Sequence, residues 1–297
     1  MSTLLPPPPE FGIHFEIFKN ALRLKGKKLT ADEAVRELHR WKSQNTFRPG
    51  RDKGMDSEIR EAVRNAYKLP SQPRGYRGAS TGAPMRPKWP APSPDKRASA
   101  IAEIPGFGLY DLWEKSPWKP TVNRSHTREL LEWLFPGDPL LCCGKSPYKF
   151  DTRHLSEWAD TDLSQWQFIV PSPMIARQAM TTSGKLSAHT LKGTGPRRVI
   201  VIDFDDFAGL DIHAAAAWAL GELLPLVMVL KTGGKGLHAW YAASGRSEAE
   251  LRVFFRLGCT FGGDPLLWTR SQFVRMPDGF RDNGEEQRVI YFNRRAV

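Results

Sequence analysis

The stretch Val199-Ile200-Val201-Ile202-Asp203-Phe204-Asp205-Asp206 runs four β-branched residues straight into three acids. Such an apolar run reads as a buried strand, which anchors its acidic end in place. Asp203 and Asp205 are two apart, a spacing that puts both side chains on one face of a strand. Neighbouring carboxylates repel, and one takes up a proton unless a cation sits between them. A hard divalent ion such as Mg²⁺ or Mn²⁺, which prefers oxygen ligands, resolves that conflict. A strand ending in Asp-x-Asp also has a plainer use, because Asp caps the loop or helix that follows. On this motif alone the two readings stand level.

Two further groups lie downstream. Thr232-Gly233-Gly234-Lys235-Gly236-Leu237-His238 joins two expected strands. Its glycines let the backbone approach a ligand and expose N–H groups. Lys235 adds a point charge suited to phosphate, and His238 at the head of the next strand can donate to an oxyanion. A Walker A loop is excluded, since the upstream glycine and the Ser/Thr after the lysine are missing. The third group is Gly262-Gly263-Asp264-Pro265 followed by Arg270-Ser271-Gln272-Phe273-Val274-Arg275-Met276-Pro277. Taken singly, Asp264 is a turn residue, and Arg270 and Arg275 are surface charges.

In order and character the three groups together resemble the archaeo-eukaryotic primase (prim-pol) superfamily, its phage- and plasmid-type members above all. The likeness covers roughly residues 107–297 and is sharp from Arg197 onward. Thr232 stands where many members carry Ser and keeps the hydroxyl. Asp278-Gly279 follows Pro277 where members often have Gly directly, which leaves Asp278 as an alternative third acid. Asp206 likewise competes with Asp205, and only strand alternation separates them.

The resemblance implies a template-directed nucleotidyltransferase. Asp203, Asp205 and Asp264 would hold two divalent cations, Mg²⁺ or Mn²⁺. Thr232, Gly233, Gly234, Lys235 and His238 would grip the nucleotide's phosphates. Arg270 and Arg275 are candidates for phosphate or template contacts. The implied partners are single-stranded or primed DNA and nucleoside triphosphates, with any helicase acting in trans. Two other functions use the same residues: an RRM-like single-stranded nucleic-acid binder without catalysis, and a metal-dependent phosphodiesterase. The Lys/Arg-Gly-Phe pattern of a base-stacking RRM is absent.

The elements that must position these groups read as follows. From Arg197 onward the order is β-α-β-β-α-β-β. Asp211 caps a helix from about Ile212 to Leu223, and Ser247-x-x-Glu250 is a capping box for a second, ending near Leu257. Gln272–Met276 and Arg288–Phe292 are the last strands. The expectation is an α+β prim-pol fold: one RRM-like antiparallel-rich sheet with backing helices, plus a small α/β N-terminal subdomain. That subdomain holds a helix through Leu130 to Phe135 capped by Ser125, short strands at Pro139–Cys143 and Phe168–Val170, and a mobile basic loop from Thr181 to Pro196.

Upstream, Phe11, Phe15, Phe18 and Leu22 recur at helical spacing. Thr30-x-x-Glu33 is a capping box for a helix with Val35, Leu38 and Trp41 on one stripe. Asp56 or Ser57 caps a third helix. The pattern Asn45-x-Phe47-x-Pro49, then Glu58, Ala62, Val63, Ala66 and Tyr67, is similar to helical modules attached to phage and plasmid primases, and it also fits a generic three-helix unit. Residues 70–104 are rich in Pro, Gly, Ser and Arg and read as a flexible basic linker. Arg74, Arg77, Arg86 and Lys88 there interleave with Tyr76 and Trp89, a pattern that suits a solvated tether or a nucleic-acid contact. The expected domains are thus 1–69, 70–104 and 105–297.

The chain has 297 residues and a net charge of +11. This excess suits a polyanionic partner, nucleic acid before membrane. Cys142, Cys143 and Cys259 have no zinc spacing and are expected to be reduced, buried thiols of a cytoplasmic protein. The first residues lack the charged and apolar regions of a signal peptide. No apolar run reaches the roughly 18 residues of a membrane span.

Overall fold

The computed structural model describes residues 17, 20, 21, 23–25, 27–45, 54–68, 88–121 and 124–297. The expectations for Phe11, Phe15, Phe18, Leu22, Phe47, Pro49, Arg74, Tyr76, Arg77 and Arg86 fall outside them. The chain divides into two compact units, Met1–Arg86 and Pro87–Val297.

In the first unit the helices Ala31–Ser43 and Met55–Lys68 bury Leu38, Trp41, Ile59 and Val63 together with Ile17 and Leu24. The Thr30/Glu33 capping box forms as the sequence indicates.

The second unit is α+β, with several antiparallel sheets. Strands β1 (Leu140–Ser146), β2 (Lys149–His154) and β3 (Phe168–Ile169) form one sheet. A small hairpin pairs β4 (Ala179–Met180) with β5 (Leu186–Ser187). The main sheet contains β6 (Val199–Phe204), β7 (Leu226–Lys231) and β8 (Leu237–Ala242). It ends in β12 (Val289–Phe292), with β9 (Val274–Arg275), β10 (Gly279–Phe280) and β11 (Glu286–Gln287) between β8 and β12 in sequence.

The main sheet has the order β12-β7-β8-β6. Both β6 and β7 pair antiparallel with β8, so they run parallel to each other and form a split β-α-β unit. The acidic strand therefore lies at the sheet's edge. The helices Leu210–Leu220 and Glu248–Thr260 cover one face: the Tyr241 hydroxyl donates to Ala217 O at 2.9 Å, and its ring meets Phe254 at 4.8 Å. One hydrophobic core joins this sheet to Leu130, Phe135, Leu141 and Ile169 of the upstream part. Val199 to Ile202 are all buried there, and each such side chain contributes about 1.5–3 kcal/mol.

Four expectations need correction. First, the C-terminal strands do not all join one sheet, because β9 pairs with β3 in the upstream sheet. Second, the linker does not extend through residue 104. Ser93 caps a helix over Pro94–Ile101, with Pro at its first turn, and Trp89 packs on Phe255 and Trp268 with ring centroids 4.9 and 5.1 Å away. The aromatic that suited a tether has a hydrophobic pocket to fill. Third, residues 181–196 hold β5 and a tied loop: Thr194 is buried and Gly195 N donates to Pro173 O at 2.8 Å. Fourth, two caps differ. The helix Leu210–Leu220 starts at Gly209, and Asp211 accepts from Leu109 N at 2.8 Å instead. His126 is the N-cap of Thr127–Leu134, and the Asp278 carboxylate accepts its N–H at 2.7 Å.

All three cysteines are buried and unpaired. Among the described residues no helix is long and apolar enough to cross a membrane.

Candidate active site

The β6/β8 ladder sets Asp203 directly opposite His238. His238 Nε2 lies 3.3 Å from Asp203 Oδ2. The backbone N–H of Arg275 donates to His238 Nδ1, also at 3.3 Å. With Nδ1 accepting, the ring proton sits on Nε2 and faces the carboxylate. His238 is 4% exposed, so ring and acid are held in a fixed relation.

Asp264 arrives from another segment. Phe204 bridges to Gly263, and Asp264 N donates to the main-chain oxygen of Asp203 at 2.9 Å. The Asp264 side chain caps the short 3₁₀ turn Pro265–Trp268 by accepting from Leu266 N at 2.9 Å. Burial raises the Asp264 carboxyl above the ordinary range, and the charges of Asp203 and Asp205 push the same way. The Leu266 N–H and His238 oppose the rise.

Asp205 lies one residue beyond the strand and is exposed, with Lys235 Nζ 3.6 Å from its Oδ1. Lys235 also stands 4.4 Å from the centre of the Phe207 ring. The turn from Thr232 to Gly236 is closed by Thr232 N and Oγ1 donating to Gly236 O, at 3.1 and 3.2 Å. Gly233, Gly234 and Lys235 form its tip. Arg275 reaches the acids from β9: burial lowers its pKa, Arg281 adds to that, and Asp203 and Asp205 act against it. Its guanidinium lies 4.8 Å from the Phe168 ring.

The fold thus gathers Asp203, Asp205, Asp264, Lys235, His238 and Arg275 at one end of the main sheet. Arg270 stands apart, beside Arg197, and no hydrogen bond or ion pair ties it to the three acids among the described residues. Both alternative acids have other work. Asp206 accepts from Arg97 Nη1 at 2.6 Å and faces His213 Nε2 at 2.7 Å. Asp278 caps the helix described above. Sequence reading missed Arg97 and Arg281. The start signal Ser93-Pro94 marks the helix that carries Arg97, and Asp282-Asn283-Gly284 marks the hairpin next to Arg281.

Asp203, Asp205 and Asp264 supply the oxygen donors that a hard divalent cation takes. The carboxylates come from two stretches of chain, and beyond the larger effect of burial the charges of Asp203 and Asp205 add to the rise at Asp264. The side chains are not gathered round a single point: Asp203 turns to His238 and Asp205 to Lys235. Accordingly, no three acids, histidines or cysteines form a ready-made cage among the described residues.

Among solved structures the chain is similar to the AEP domain (PP-N190) of the cyanophage S-2L primase-polymerase (PrimPol), with 18% identity over 60% of this chain and 92% of that chain and a TM-score of 0.39. No family model matches the sequence, and neither does any curated protein. A likeness of this degree leaves the functional reading to the geometry of the site.

Proposed function

We propose that the unit Pro87–Val297 is a metal-dependent, template-directed nucleotidyltransferase of the primase-polymerase kind, acting on single-stranded or primed DNA. The observation that carries the reading is the meeting of Asp203 with both His238 and the Asp264 segment, at 3.3 and 2.9 Å, beside a glycine-lysine turn. The order of the three sequence motifs supports it independently.

Asp203, Asp205 and Asp264 would hold the cations. Bound Mg²⁺ or Mn²⁺ supplies charge neutralisation at the triphosphate and acidifies the attacking 3′-hydroxyl. The Gly233 and Gly234 amides and the Lys235 ammonium would bind the phosphates. His238, with its one ring proton on Nε2, orients the Asp203 carboxylate, and would give that proton to an anionic phosphate oxygen once cations hold the carboxylate. Arg275 adds positive charge opposite the developing negative charge of pyrophosphate. The net charge of +11 suits sequence-independent hold on a nucleic-acid backbone.

The test is extension of a labelled primer on a DNA template in Mg²⁺ and then Mn²⁺. Wild type extends it, and Asp203→Ala folds but does not. A wild-type chain that leaves the primer unchanged in both metals sinks the proposal. A chain that shortens the oligonucleotide is a phosphodiesterase instead.

A further inference from the structure

The hairpin between β10 and β11 brings Arg281 against the glycine turn. Arg281 Nη1 donates to Gly233 O at 3.3 Å. Gly233 has φ +73°, and a Cβ there would stand 2.8 Å from Arg281 Cδ. The bare turn is thus what admits this side chain. At Gly234 a Cβ would make only ordinary contact, 3.5 Å from Arg281 Nη1, so the close approach is specific to Gly233. The hairpin is closed by Arg281 N donating to Glu285 O at 2.9 Å and Gly284 N donating to Arg281 O at 3.0 Å. The base of the side chain is therefore held by a tight loop.

Arg281 has unused capacity. Its Nε is buried and has no hydrogen-bond partner. A buried N–H without an acceptor is costly, and a ligand oxygen would satisfy it. Its ion pair with Glu285 is long, at 3.5 Å. Burial lowers the Arg275 pKa first, the like charge of Arg281 acts the same way, and Asp203, Asp282 and Asp205 act against both. Arg275 and Arg281 beside the glycine-lysine turn thus offer guanidinium donors to an anion next to the acids, where a polyphosphate needs them.

We propose that Arg281, with Arg275 and the Gly233–Lys235 turn, forms a binding site for the polyphosphate part of a nucleotide, the planar fork of Arg281 taking two of its oxygens. The inference rests on reading the turn as a phosphate site, and it names a residue that the sequence motifs do not contain. In binding, Glu285 gives up its contact and the Nε proton finds an acceptor. A nucleoside monophosphate, having one phosphate, reaches less of this site than a triphosphate does.

The test is calorimetric titration of the full chain with inorganic pyrophosphate, without metal or DNA, at low salt. Wild type binds, Arg281→Ala binds at least tenfold more weakly, and Arg281→Lys falls between because it keeps the charge and loses the fork. Arg153→Ala, altered in the distant β2, binds as wild type does. Circular dichroism melts show that each variant is folded, and Gly233→Ala, which displaces Arg281, weakens binding in parallel. Pyrophosphate binding that is absent in wild type, or unchanged in Arg281→Ala, overturns the proposal. Primer extension is read separately. Extension with unaltered pyrophosphate binding in Arg281→Ala sinks this inference alone, and Arg281-dependent binding without extension sinks the nucleotidyltransferase reading alone.

Discussion

Arg97 Nη1 lies 2.6 Å from Asp206 Oδ2 and donates to Phe261 O at 2.9 Å. One guanidinium thus ties the end of the acidic strand to the segment that carries Asp264. His213 holds the other oxygen of Asp206 at 2.7 Å. Removing a partner from a fully buried pair costs about 3–5 kcal/mol. The Asp206 side chain is 31% exposed, so Arg97→Ala is expected to cost less, roughly 2–3 kcal/mol. Urea unfolding measures this, and a variant as stable as wild type shows that the tie is idle.

Gly262 tests the same junction from the other side. It has φ +108°, and an added Cβ would stand 2.7 Å from Asp206 Oδ2 and 2.8 Å from Arg97 Nη1. Gly137 has φ +85° with nothing within 4 Å. Gly137→Ala should cost only backbone strain, about 1 kcal/mol. Gly262→Ala should add disruption of the ion pair, for a total of roughly 3 kcal/mol. Equal losses in thermal melts would mean that the ion pair adds nothing.

The raised carboxyl of Asp264 gives stability a pH dependence. The folded state holds the proton more tightly than the unfolded chain does. The contribution of Asp264 is therefore most favourable below the unfolded value, near 3.9, and declines as pH rises through the higher folded value. At neutral pH and without metal, Asp264→Asn should melt above wild type, since Asn keeps an oxygen for Leu266 N and drops the charge. At pH 3 the two should melt alike. Asp264→Asn melting below wild type at pH 7.5 would contradict the shift.

Under the proposed function, a change at His238 should separate catalysis from folding. Losing one positioned donor at a reacting oxyanion costs about 100- to 1,000-fold in kcat. His238→Gln should lose rate on that scale in primer extension, with a far smaller change in DNA affinity measured by fluorescence anisotropy. Full rate in His238→Gln would leave the ring a purely structural part of the ladder.

The main sheet was legible because its strands are long and strongly patterned. The β-branched run Val199–Ile202 and the two capping boxes are local signals, and the fold keeps them. The glycine-lysine turn was legible for the same reason. Partner choice was not: β9 is two residues long, and nothing local says that it pairs with β3. Trp89 and Arg97 sit in a Pro- and Ser-rich stretch whose composition resembles a tether. Their roles depend on Phe255, Trp268 and Asp206, all more than a hundred positions away. Arg281 escaped because an arginine in a hairpin is ordinary until the bare backbone of Gly233 is placed beside it.

The docking of Trp89 between Phe255 and Trp268 bears on how the protein can be cut for laboratory work. A fragment begun at residue 105 leaves that aromatic cleft open to water and removes the guanidinium from Asp206. Its newly bared rings would drive clumping during expression, whereas a fragment begun at Pro87 carries its own plug.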